Sequence, residues 1–97
     1  MTYATKSERQ ALISGFRGIA DFLEGNPEVP APAYADVMVF PPYATDAEQR
    51  MEIDAIASRI GSGTRTTPAS RHYVTSRAFG PVEYRAVAIP SADTTEL

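Results

Sequence analysis

The sequence predicts an α+β fold: a two-layer sandwich, two helices on one face of a mostly antiparallel four-stranded sheet, in the order α-β-α-β-β-β. Three observations carry that prediction. Residues 7–24 and 45–60 repeat apolar side chains at three- and four-residue steps behind recognisable helix starts. The run "ADVMVF" at 35–40 has strand length and strand composition. Two further apolar-polar runs flank Gly80-Pro81 like the arms of a hairpin.

The first helix places Leu12, Phe16, Ile19 and Leu23 on one face, widened by Ile13 and Ala20. Ser7 to Gln10 can form a capping box, with Thr5 and Glu8 as the competing box. Gly25 is expected to turn left-handed and end the helix before Asn26-Pro27. Gly15 and Gly18 lie inside and each costs about 1 kcal/mol relative to alanine. Pro27, Pro30 and Pro32 then read as a stiff extended connector.

The run 35–40 reads as a strand buried on both faces, with Val37, Met38, Val39 and Phe40 in the core, ended by Pro41-Pro42. Thr45 to Glu48 forms the capping box of the second helix. Ile53, Ile56, Ala57 and Ile60 share its inner face, and Gly61 closes it. "TRTTPAS" is a weak strand, placed at an edge by Pro68. The core expected from these patterns is Leu12, Phe16, Ile19, Leu23, Val37, Val39, Ile53, Ile56, Ile60, Val74 and Val87. One domain is expected over residues 1–90, followed by a polar, disordered tail at 91–97.

A two-residue loop at Gly80-Pro81 pairs Phe79 with Val82, Arg77 with Tyr84, Thr75 with Ala86 and Tyr73 with Ala88 on one face. The other face carries Ala78 with Glu83, Ser76 with Arg85, Val74 with Val87 and His72 with Ile89. Near the turn both faces are polar. Arg77, Tyr84 and Arg85, with Tyr73 behind, are therefore the candidate binding residues, since arginine and tyrosine combine contact area with hydrogen bonding. The structural alternative is that Arg77 stacks on Tyr84 and Arg85 pairs with Glu83 or an acidic helix.

Composition narrows the chemistry. The 97 residues include no cysteine, which excludes thiolate chemistry, and a single histidine, which argues against a zinc site. His72 is read as structural or solvent-exposed, and the sequence holds no local catalytic motif, nucleotide loop or metal motif, so no catalytic residue, cofactor or metal is expected. No apolar stretch approaches a membrane span, and "MTYATKSERQ" is expected to be the start of a cytoplasmic protein without a secretion signal.

Net charge is −3, unevenly distributed. Residues 1–57 carry four basic and nine acidic side chains, residues 58–97 five arginines and three acids. A small acidic α+β domain without a catalytic motif, with a stiff proline connector and a mixed hairpin tip, points to a non-enzymatic protein that binds a protein partner or itself. Nucleic-acid binding is the alternative, through Arg59, Arg65, Arg71, Arg77 and Arg85 interleaved with Tyr73, Phe79 and Tyr84. A small enzyme whose site assembles from residues distant in sequence is the third reading.

The stretches "ADFLEGNPEVPAP" and "HYVTSRAFGPVEYRAVAIP" resemble small uncharacterised proteins of actinobacteria and of their phages and mobile elements, over most of residues 8–90. The resemblance implies a bacterial cytosolic or phage setting, where small proteins that modify host machinery are common. It carries no activity and no functional residue.

Overall fold

The computed structural model describes residues 3–42 and 44–91. Its elements follow the expected order: α1 (Lys6–Gly25), β1 (Ala35–Val39), α2 (Asp46–Ile60), β2 (Arg65–Thr66), β3 (Tyr73–Phe79) and β4 (Val82–Ala88). They form two compact units, one of residues 4–33 and one of residues 34–91 with Tyr3. Of the tail expected to be disordered at 91–97, Ser91 is described and donates its N–H to Asp46, and residues 92–97 lie outside the described residues.

In the first unit, α1 starts on the competing box. The Thr5 hydroxyl accepts the Glu8 N–H at 3.2 Å, and the Glu8 carboxylate accepts the Thr5 N–H at 2.8 Å. Starting at Thr5 adds two residues, about half a turn, that the Ser7 box would forgo, because Lys6 and Ser7 both tolerate helical geometry. The helix also ends differently. Gly25 is its last helical residue, and Asn26 caps it, its Nδ2 donating to the Phe22 carbonyl at 2.8 Å. Here a side-chain amide supplies the bond to an end carbonyl that the capping motif of a left-handed glycine would supply from backbone N–H groups.

No residue of α1 is buried. Leu12, Phe16 and Ile19, expected in the core, are exposed, while Leu23 is half-buried. The periodicity that predicts a covered face is identical whether the cover comes from the same chain or from another molecule.

In the second unit the sheet order is β1-β4-β3-β2. β3 pairs antiparallel with β4 and with β2, but β1 pairs parallel with β4, so the sheet is mixed rather than mostly antiparallel. β1 is an edge strand, not one buried on both faces: Met38 is 45% exposed, and Val37, Val39 and Phe40 are half-buried. A continuous apolar run is the habit of parallel strands. Here it marks the parallel pairing, while the edge position leaves one side open. β2 is a two-residue edge strand, as Pro68 requires.

α2 begins and ends as its residues dictate. Thr45 and Glu48 close a reciprocal capping box, and Gly61 takes the left-handed conformation at φ 67°, its N–H donating to the Ala57 carbonyl. Ile53 and Ile56 pack on Ala86 and Ala88 of β4, with Val39, Ile60, Tyr73 and Tyr84 around them. The alanines let the helix approach the middle of the sheet, and the isoleucines fill the space they leave. On the opposite face Val74 and Val87 are register partners and both buried. Tyr3 is tied to this unit, its hydroxyl donating to the Glu52 carboxylate at 3.1 Å. Burial and that acceptor push its phenol up to about 12.

Candidate functional site

The β3–β4 hairpin turns on Gly80 and Pro81. Gly80 has φ 62° and Pro81 follows at the second central position, the pattern of a type II′ turn whose twist matches the strands. The Pro81 carbonyl accepts the Ala35 N–H at 3.1 Å and so anchors the start of β1. The register is the one the two-residue loop predicts, from Phe79 opposite Val82 to Tyr73 opposite Ala88.

This register places the four candidate binding residues in different surroundings. Arg77 and Tyr84 are direct cross-strand partners on the face that carries α2. The Arg77 guanidinium nevertheless lies over Phe79, 5.0 Å from the ring centre, instead of over Tyr84, whose ring packs at the edge of the core. Tyr73 is on the same face but four residues from Arg77, about 13 Å along the strand. Its hydroxyl donates to Asp54 at 2.5 Å and shares a second hydrogen bond with Thr64 at 2.9 Å. The Arg50 guanidinium stacks 3.9 Å from its ring centre. Tyr73 is thus part of the α2–sheet contact.

Arg85 is on the other face. It pairs with Glu83 two residues away, at 2.5 Å, as the structural alternative anticipates. The carboxylate raises the guanidinium above its ordinary value, and the guanidinium holds Glu83 below the usual carboxylate range. Arg65 donates to Ser76 on this face at 3.4 Å. The Arg85 Nε is buried without a hydrogen-bond partner. The structure therefore joins Arg77 with Tyr84 and sets Tyr73 and Arg85 apart from them. Arg65 and Arg85 occupy the face opposite Arg77, so these arginines do not converge on one surface.

A shallow cleft opens where α2 begins, lined by Asp46, Gln49, Arg50, Arg71 and Tyr73. It encloses about 30 Å³, far below the roughly 300–1,000 Å³ of a small-molecule pocket. Asp46 is already engaged, accepting the Ser91 N–H at 3.0 and 3.2 Å. Arg71 has φ 60°, held there by its N–H bond to the Thr67 carbonyl at 2.8 Å. Among the described residues no three metal-ligating side chains converge, and no helix is long and apolar enough to cross a membrane.

The more extensive feature is the apolar face of α1. Leu12, Ile13, Phe16, Ile19 and Phe22 are all exposed, four of them by 44–57%. Gly15 lies on the same face, between Leu12 and Ile19 at the helical steps of three and four, and a Cβ there would meet nothing. Sequence periodicity finds Leu12, Phe16 and Ile19 and assigns them to the core, with Ile13 widening the stripe; Phe22 is not among the residues it singles out. Two signals mark them as a surface. Glycine interrupts the face at a position where the chain itself gains no packing from it. The charges also run against the helix dipole: Lys6 and Arg9 sit near the start, and Asp21 and Glu24 near the end with no base in the last turn.

In comparison with known proteins, no family model, no curated sequence and no solved structure matches this chain.

Proposed function

We propose that the protein is a small non-enzymatic interaction or regulatory protein that docks through the apolar face of α1, in the bacterial or phage setting its sequence resemblance implies. The observation that carries this reading is the exposure of five large apolar side chains on one face of a 20-residue helix. A contiguous apolar surface in contact with water is uncommon unless something covers it. Helix-in-groove and helix-on-helix docking both use this i, i+3, i+4, i+7 pattern. The Arg77–Tyr84 pair at the hairpin tip is a smaller polar surface that fits a rim contact.

The test is capture from a bacterial lysate by tagged wild-type protein and by the double variant Phe16→Glu/Ile19→Glu, with and without nuclease. Docking through α1 predicts a specific protein, or the untagged protein itself, held by the wild type in both nuclease conditions and lost by the variant. Equal capture by both proteins would contradict it. Capture abolished only by nuclease would favour the arginine-bearing sheet. Both substituted side chains are exposed in the free protein, so circular dichroism of the variant is expected to keep its helical signal.

A further inference from the structure

We infer that the occupant of the α1 face is the α1 helix of a second copy, packed antiparallel to form a two-fold symmetric helix pair. This rests on the proposal that α1 is the docking element and names its partner.

The spacing comes first. Leu12, Phe16, Ile19 and Leu23 advance by four, three and four residues, the a/d seam of a short coiled coil. Leu23 is half-buried and the other three are exposed. Seating two such seams antiparallel, with every seam residue matched, sets Leu12 opposite Leu23 and Phe16 opposite Ile19 of the other copy, and the reverse.

The residues flanking the seam then match in size. On one flank Phe22 meets Gly15 of the opposite helix, and on the other Ile13 meets Ala20. Helical side chains lean toward their own N-terminus, which carries the Phe22 ring toward the level of the facing Gly15. The space over Gly15 is open, so the ring can be received there without displacing the chain's own atoms. A parallel pair would instead set Phe16 against Phe16 and leave Gly15 without a large partner.

Charge selects the same direction. Lys6, Arg9 and Arg17 lie in the first twelve residues of α1 with Glu8 as the only acid there, whereas Asp21 and Glu24 follow without a base. Within one helix this order opposes the dipole. Between antiparallel copies it brings the basic end of each alongside the acidic end of the other and aligns the two dipoles head to tail. Parallel pairing would put like charges side by side.

The test uses the full chain, whose sequence contains no cysteine. Sedimentation equilibrium over a concentration series is expected to give twice the chain mass. Gly15→Leu raises helix propensity while filling the seat of Phe22, so a lost dimer would not reflect a lost helix. It is expected to raise the dimer dissociation constant by at least roughly tenfold. A mixture of Leu12→Cys and Leu23→Cys proteins under mild oxidation is expected to form the 12–23 disulfide in preference to 12–12 and 23–23. Predominant 12–12 and 23–23 linkage would overturn the antiparallel arrangement, and a monomer at all concentrations would overturn self-pairing. A monomer whose capture of another protein is still abolished by Phe16→Glu/Ile19→Glu would leave docking through α1 standing with a different occupant. A monomer indifferent to those substitutions would remove both.

Discussion

Thr75 is the buried polar side chain among the described residues, at 0% exposure. It sits on a central strand with its hydroxyl donating to the Gly63 carbonyl at 2.8 Å, tying the turn after α2 to β3. Thr75→Val keeps the shape and removes the donor. It is expected to cost about 1 kcal/mol, read as a lower urea midpoint with an unchanged slope. Ile53, also fully buried, has no polar partner to lose. Ile53→Ala should cost about 2–5 kcal/mol, because the β4 alanines beneath it are too small to fill the void. Strand alternation pairs Thr75 with Ala86 directly, since a two-residue loop fixes every partner above it. The bond to Gly63 depends on where the α2–β2 turn passes, which no local pattern encodes.

At the scale of elements, both helices start on reciprocal Thr–Glu boxes. The Glu48 carboxylate accepts from the Thr45 N–H and hydroxyl, and these bonds hold it below its ordinary value of 4.5. A lowered folded-state value stabilises the native helix fully above 4.5, and that contribution is lost as pH falls through the lowered value. Thermal unfolding of Glu48→Gln between pH 7 and pH 3 should therefore depend less on pH than that of the wild type, while Thr45→Ala should cost about 1 kcal/mol at neutral pH.

Element boundaries and the β3–β4 register are legible because caps, glycine turns and alternation are local chemistry. The role of β1 is not. "ADVMVF" carries the apolar signature of a strand in parallel pairing, but its edge position is decided by β3 and β4, some forty residues later. The candidate site divides the same way. Arg77 beside Tyr84 follows from the turn. The capture of Tyr73 by Asp54 and Arg50 depends on how α2 crosses the sheet.

At the scale of the whole molecule, the apolar residues fall into two populations. Those of α2, β3 and β4 find one another. Those of α1 remain exposed, although their spacing is as regular. Periodicity states that a face is to be covered and is silent about the cover. The facing sizes of Gly15 and Phe22, and the basic-to-acidic run of α1, supply that missing information and point to a second copy of the chain.

Amide hydrogen exchange along α1, followed across a hundredfold dilution, tests this most directly. Self-pairing predicts that protection of residues 12–23 falls on dilution while that of α2 and of the β3–β4 hairpin stays constant. Protection along α1 that is independent of concentration would contradict it.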